Sequence, residues 1–183
     1  MLAYMFYNYA FYVFGAVFNP FFLLYVAVFS LSFFALLFSL PRLDIVTLTQ
    51  RLHPTVPVRW VSGFLLFLVV VLGGVELSQV LGTLVSGRTP QSPTLIYALD
   101  LSWVMPLMVL GAVWLWQRRP WGYVLATILM LKSMAYGLAL VAMTAFVAGF
   151  SLTGFWDPLL PFYALITVGS LVSSLFLLKD IHP

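Results

Sequence analysis

Five stretches of the chain are long and apolar enough to cross a lipid bilayer as single helices. A spanning helix needs about 20 predominantly apolar residues. The stretches that meet or approach this length are 20–40, 60–85, 93–116, 121–148 and 158–178. Inside hydrocarbon every backbone polar group must be satisfied within the protein, which restricts spanning structures to helices and closed barrels. We therefore predict an all-α, polytopic transmembrane helix bundle that forms one domain over residues 1–183.

The composition supports a bilayer as the solvent of this chain. Hydrophobic residues make up 63% of the 183 residues and charged residues only 7%, whereas a soluble domain carries about 25% charged residues. A domain of this size cannot hide so much apolar surface from water. We therefore expect the lipid bilayer to be the main partner, together with membrane-protein partners or further copies of the chain.

A sixth apolar segment, residues 2–18, opens the chain and is short for a full crossing. It ends at Asn19-Pro20, because a proline removes a backbone donor and disfavours helix at the residue before it. The segment is interpreted as a partial helix, as a tilted one, or as the remainder of a longer N-terminal region. Counting it, the prediction is about six membrane segments.

Basic residues predict the orientation. Loop 41–59 contains three arginines, the turn 117–120 contains two, and Lys179 follows the last segment. These regions lie on one side if all six segments cross, and the side richer in lysine and arginine is normally cytoplasmic. We therefore predict a multi-pass protein of the inner (plasma) membrane with both termini in the cytoplasm. If segment 2–18 does not cross, the N-terminus lies outside and the rest of the topology stands. Within loop 41–59, a short interfacial helix and a plain connection fit the pattern equally well.

Several classes of chemistry find no support in the sequence. There is no cysteine, which excludes disulfides and thiol chemistry by this chain. The two histidines, His53 and His182, lie outside the apolar segments, so neither a haem ligand nor a base for a serine nucleophile is available within a span. The longest basic run is Arg118-Arg119, too short for a nucleic-acid interface. We predict no catalytic residue, no cofactor, no metal and no nucleic-acid partner.

Three charged residues inside the apolar segments are the candidates for function. Glu76, Asp100 and Lys132 each lie within an apolar segment. A charge at bilayer depth costs about 2.5–3.5 kcal/mol on insertion scales. Such residues usually face the bundle interior and have a partner or a task. Helical spacing puts Gln79 on the face of Glu76 and Tyr136 on the face of Lys132. The predicted solute- or proton-binding residues are Glu76, Gln79, Asp100, Lys132 and Tyr136.

Depth predicts which of these charges can meet. Counted from the outer helix ends, Glu76 lies about 13 Å deep and Asp100 about 10 Å, in consecutive antiparallel helices. If their faces meet, the two acids cannot both stay ionised cheaply. The same count puts Lys132 about 24 Å deep. A direct Asp100–Lys132 bridge is therefore not assured, and the closer Glu76 still needs a shifted helix boundary or a water to reach the lysine.

The polar residues leave several functions open. The leading hypothesis is a small membrane protein that binds or translocates a small polar solute or a proton through the Glu76, Asp100 and Lys132 group. The competing one is a structural or accessory subunit of a larger membrane complex, in which these residues only fix helix packing. An intramembrane enzyme acting on lipid ranks below both, and a Schiff-base lysine has no further support.

Other residues predict packing features. Pro106 is expected to kink the segment 93–116. Two small-xxx-small pairs, Ser133 with Gly137 and Gly169 with Ser173, are expected to be seams between helices. Ser170, Ser173 and Ser174 could form hydrogen bonds across helices, but they are expected to bond to their own backbone, as serine in membrane helices usually does.

Two patches carry a resemblance to known proteins. The first is Tyr7-Asn8-Tyr9-Ala10-Phe11-Tyr12, followed by Gly15, Asn19-Pro20 and Phe21-Phe22-Leu23-Leu24-Tyr25-Val26-Ala27. The second is Arg118-Arg119-Pro120-Trp121-Gly122-Tyr123. In these patches the chain resembles small, uncharacterised bacterial multi-span membrane proteins. The resemblance implies a polytopic fold and no particular activity.

Overall fold

The computed structural model describes residues 1–45, 57–87, 94–150 and 159–179. Within these ranges the chain forms six helices and no strand, which confirms the all-α fold class. The helices are α1 (Leu2–Phe14), α2 (Phe22–Ser39), α3 (Val58–Ser86), α4 (Thr94–Trp116), α5 (Pro120–Phe150) and α6 (Leu160–Leu178). The interfacial helix considered for loop 41–59 falls mainly on residues 46–56, outside the described ranges.

Five of these helices, α2 to α6, are long and apolar enough to cross a membrane. Their bounds agree with the predicted segments to within a few residues. Helix α1 is different, because it has only 13 residues and is therefore about 20 Å long. That is less than the hydrocarbon thickness of about 30 Å. Helix α1 alone is too short to cross.

Helices α3 to α6 form a packed bundle. Its buried apolar residues come from all four helices: Val58, Val61, Leu65, Leu68, Val104, Met108, Ala112, Leu115, Tyr123, Ala126, Leu129, Met130, Ile166 and Leu177. We call these four helices the core bundle. The share of residues buried inside the protein within the spanning window is 39% for α4, 33% for α5, 28% for α6 and 17% for α3. The remaining apolar side chains are left for lipid to cover.

Glycines allow the close approach of helices in the core bundle. A methyl group on Gly122 would overlap the backbone of Trp114 and Leu115, and one on Gly169 would overlap the Phe64 ring. On Gly137 it would lie 2.6 Å from Thr167 Oγ1. Small residues that let backbones approach are typical of membrane helix interfaces. The predicted seams at Gly137 and Gly169 are therefore present in the structure.

Helices α1 and α2 form an antiparallel hairpin beside the core bundle. Aromatic rings hold the two helices together, for example Phe6 and Phe29 with ring centroids 5.2 Å apart and Tyr12 and Tyr25 at 5.1 Å. Helix α1 also packs against α4 and α5. Only 6% of the spanning window of α2 is buried, so this helix is the least covered of the five.

One end of the molecule collects the basic residues. Because consecutive helices are antiparallel, α2, α4 and α6 end where α3 and α5 begin. Arg42 follows α2, Arg59 opens α3, and Arg118 and Arg119 lie in the turn between α4 and α5. We call this the arginine end. Arg51, the third arginine of loop 41–59, lies outside the described residues.

The buried serines depart from expectation. Ser170, Ser173 and Ser174 on α6 and Ser62 on α3 are at most 2% exposed, and among the described residues their hydroxyl oxygens have no hydrogen-bond partner. Ser32 and Ser78, in contrast, donate to carbonyl groups of their own helices. The prediction that serines 170–174 bond to their own backbone is therefore wrong. These side chains provide close packing between helices instead.

Candidate polar site between the core bundle and helix α1

The buried ion pair of the structure joins Asp100 on α4 to Lys132 on α5. Lys132 Nζ lies 3.8 Å from Asp100 Oδ1, and both side chains are 10% exposed. The prediction had left this pair uncertain because depth was counted from the outer helix ends. Counted from the shared turn, Asp100 lies sixteen residues before Trp116 and Lys132 twelve residues after Pro120. The offset of four residues is about 6 Å along the axes, which a lysine side chain spans.

A local change of helix type positions Asp100. Residues Asp100–Val104 form a π-helical segment, and the Met105 N–H group donates to the carbonyl oxygen of Asp100. Pro106 follows directly and has no N–H to donate to the carbonyl of Ser102, so the regular hydrogen-bond ladder is interrupted here. The distortion expected at Pro106 thus lies mainly in the turn before it. Single π-helical turns of this kind are frequent at functional sites.

Glu76 on α3 faces the same carboxyl group. Glu76 and Asp100 interact directly, which agrees with the depth prediction for these two acids. Among the described residues, Glu76 Oε2 and Asp100 Oδ1 are buried atoms without a hydrogen-bond partner. Buried oxygens of this kind are costly unless a proton, water or ligand satisfies them. A proton shared by the two carboxyl groups would satisfy one of these oxygens.

Two tyrosine rings surround the lysine. Lys132 Nζ lies 3.8 Å from the centroid of the Tyr7 ring and 5.6 Å from that of Tyr136. A cation within about 6 Å of a ring face is attracted by its π electrons, most strongly where water is excluded. We call Glu76, Asp100, Lys132, Tyr7 and Tyr136 the acid–lysine cluster.

Tyr7 is the member of this cluster that the sequence did not predict. It lies on α1 and also adjoins Asp100, so the short first helix contributes directly to the site. A lysine ammonium group in hydrocarbon is stabilised by an aromatic neighbour. Helix α1 contains several aromatic residues, however, and their spacing does not predict which of them contacts α5.

Gln79 belongs to a neighbouring contact. The Tyr97 hydroxyl group donates to Gln79 Oε1 and joins α4 to α3 one turn from Glu76 and Asp100. This contact fixes the register of the two acids. Of the predicted residues, the structure therefore brings together Glu76, Asp100, Lys132 and Tyr136. It leaves Gln79 as a positioning contact beside them.

The charges of the cluster determine its chemistry. Two carboxyl groups meet one ammonium group, so the fully ionised cluster carries a net charge of −1. A net charge inside a membrane is unfavourable, and the cluster becomes neutral when the two acids share one proton. In the part of the chain that the structure describes, no group of three or more His, Cys, Asp or Glu residues could hold a metal ion.

Comparisons of the chain with protein-family models, with curated proteins and with solved structures found no match.

Proposed function

We propose that the protein binds a proton or a small polar solute at the acid–lysine cluster and moves it across the membrane. The observation that carries this proposal is the buried Asp100–Lys132 pair with Glu76 beside it. One carboxylate and one ammonium group would already neutralise each other. The second carboxyl group adds one exchangeable proton or one cation site, which simple helix packing does not need.

The position of the cluster fits this role. Asp100 lies six residues from the start of α4, and Glu76 and Lys132 lie farther from their nearest helix ends. Each group is therefore at least about 9 Å from a helix end. Ionisable groups at such depth generally mark a proton relay or a substrate pathway. The π-helical segment at Asp100 gives α4 a place where its backbone can rearrange.

Proton flux through proteoliposomes tests the proposal, with an internal pH-sensitive dye and an imposed pH gradient. We expect flux with the unmodified protein and none above empty liposomes with Glu76→Gln or Asp100→Asn, since either change removes the second carboxyl group. Ser78→Ala is the matched control, because Ser78 lies on the same helix as Glu76 and its hydroxyl only bonds to its own backbone. Unchanged flux in both acid variants rejects the relay.

A second candidate is an accessory subunit of a membrane assembly, and the uncovered helix α2 favours it. With 6% of its spanning window buried, α2 offers an apolar face to lipid or to another membrane protein or copy of the chain. Native mass spectrometry of the purified protein distinguishes the two. A single chain of 20.5 kDa with proton flux supports transport, whereas a defined complex without flux supports the subunit role.

The orientation is part of the proposal. We infer that the arginine end faces the cytoplasm of the cell that makes the protein, across its inner (plasma) membrane. The chain has no cysteine, so single cysteines can be introduced without removing others. Gln117→Cys at the arginine end is expected to be protected from a membrane-impermeant maleimide in intact cells, and Asn19→Cys at the opposite end to be labelled. The reverse pattern contradicts the orientation.

A further inference from the structure

A cavity opens at the arginine end, away from the acid–lysine cluster. Its volume is about 460 Å³, and it is lined by Pro57, Val58, Arg59, Trp116 and Arg118. Two arginines and a tryptophan thus line one cavity, at the level where α3 begins and α4 ends. Guanidinium groups bind phosphate oxygens through paired hydrogen bonds. The lining therefore fits a phosphate group.

An apolar furrow continues from this cavity along the outside of the bundle. It is about 180 Å³ in volume and lined by Leu66, Ala112, Val113, Trp116 and Gln117. Trp116 lines both spaces, and Leu66 lies seven residues beyond Arg59 on α3, about 10 Å deeper along the helix. A basic cavity at the helix ends thus leads into an apolar furrow towards the interior of the membrane.

The surrounding tryptophans place this cavity at a membrane boundary. Trp60, Trp116 and Trp121 all lie near the arginine end and are 56%, 55% and 43% exposed. Tryptophan concentrates where lipid headgroups meet hydrocarbon. The arginines then lie at headgroup depth and the furrow at acyl-chain depth.

Arg118 has a backbone conformation in which arginine is uncommon. Arg118 has φ +56°, and its N–H bonds to the Leu115 carbonyl while the N–H of Arg119 bonds to that of Trp114. This is the helix-ending arrangement in which glycine is the usual residue, because the left-handed conformation is strained for other side chains. An arginine stands at this position although the conformation is strained for it, and Arg118 is one of the residues that line the cavity.

From these observations we propose that the cavity and furrow together bind one anionic phospholipid. Arg59 and Arg118 hold the phosphate group, the Trp116 ring separates headgroup from tail, and the furrow receives one acyl chain. Basic pockets between membrane helices at the headgroup level are suited to such lipids. Inorganic phosphate alone would leave the furrow unused, so the complete lipid is the expected ligand.

Native mass spectrometry of the purified full chain in detergent tests the proposal. Phosphatidylglycerol and phosphatidylcholine with the same acyl chains are added in equal amounts, and the ratio of the two bound lipids is measured. We expect the unmodified protein to favour phosphatidylglycerol at least about fivefold, since each arginine near the headgroups contributes roughly a factor of five. Equal binding of the two lipids overturns the proposal without any variant.

Arg118→Gly is the sharpest variant, because it removes the charge and relieves the strained backbone. We expect its melting temperature to stay the same or rise while its preference for phosphatidylglycerol falls about fivefold. Arg59→Gln is expected to lose a similar factor. Arg119→Gln is the matched control, since Arg119 belongs to the same turn but does not line the cavity. An equal loss with Arg119→Gln means diffuse surface charge and contradicts a defined site.

Two soluble competitors separate a lipid site from a phosphate site. Excess inorganic phosphate and the water-soluble headgroup glycerophosphoglycerol are each added to the lipid-bound protein. Weak displacement by both is expected, because neither fills the furrow. Complete displacement by inorganic phosphate makes the cavity a phosphate site and overturns the assignment to a lipid.

Discussion

The core bundle and helix α2 of the hairpin are both strongly apolar but are packed very differently. In the spanning windows, 39% of the residues of α4 are buried inside the protein and only 6% of those of α2. Hydropathy is similarly high for both, at 1.7 and 2.3. The hydropathy of a helix therefore indicates that it lies in lipid. It does not indicate how much of the helix contacts the rest of the protein. What distinguishes the core bundle is its small and polar residues, which membrane helices use to associate.

The acid–lysine cluster joins the two regions. Four of its members come from the core bundle, and Tyr7 reaches it from α1. Replacing a member of the cluster that lies in the core bundle is therefore expected to destabilise the whole protein. Breaking it at Tyr7 loosens only the hairpin.

The largest effect is expected on the core side, from Lys132→Met. Asp100 then loses its counter-ion in a buried site, which costs about 3–5 kcal/mol for a buried pair. The double variant Asp100→Asn with Lys132→Met removes both charges and should recover much of the loss. Unfolding by sodium dodecyl sulfate in mixed micelles measures both. If the two changes simply add, the pair does not act as a unit.

Gly122→Ala tests the close packing of the core bundle. The new methyl group would overlap the backbone of Trp114 and Leu115, and since backbone cannot move aside, a loss of about 2–3 kcal/mol is expected. Gly63→Ala on α3 is the control. It meets no atom within 4 Å and should be neutral or stabilise by up to about 1 kcal/mol, because alanine favours helix over glycine. Similar effects of the two substitutions would contradict the packing described here.

On the hairpin side, Tyr7→Leu removes the ring over Lys132. A partly desolvated cation–π contact is worth about 1–2 kcal/mol, so the amide protons of α1 should exchange faster by about tenfold while those of the core bundle keep their protection. Met5→Leu, at an exposed position on the same helix, is the control and should change exchange less. Faster exchange throughout the core bundle would mean that the two regions are not separable.

The smallest effect concerns the contact next to the cluster. Gln79→Leu and Tyr97→Phe each break the hydrogen bond between α3 and α4, and such bonds in membranes contribute about 0.6 kcal/mol on average. A double-mutant cycle should return a coupling of this size. A coupling near zero would show that Gln79 does not help to align Glu76 with Asp100.

Much of the fold could be predicted from the sequence, because length and apolarity alone define membrane helices. The site was only partly predictable. Helical depth put Glu76 and Asp100 at a similar level, but whether their faces meet could be read only from the structure. The contact of Lys132 with Asp100 was left uncertain, because α4 and α5 differ in length and only the shared turn gives their register. The contribution of Tyr7 depends on tertiary packing of α1, for which one sequence holds no signal.

The central claim is that Glu76 and the buried Asp100 share a single proton beside Lys132, and infrared spectroscopy in a detergent without carbonyl groups tests it most directly. The chain has only five acidic residues, so the carbonyl stretch of a neutral carboxyl group stands out clearly. We predict this band at neutral pH in the unmodified protein. It should be lost in both Glu76→Gln and Asp100→Asn, since either change leaves one carboxylate for Lys132. A spectrum of the unmodified protein without the band, or one in which the band persists in both variants, contradicts the account.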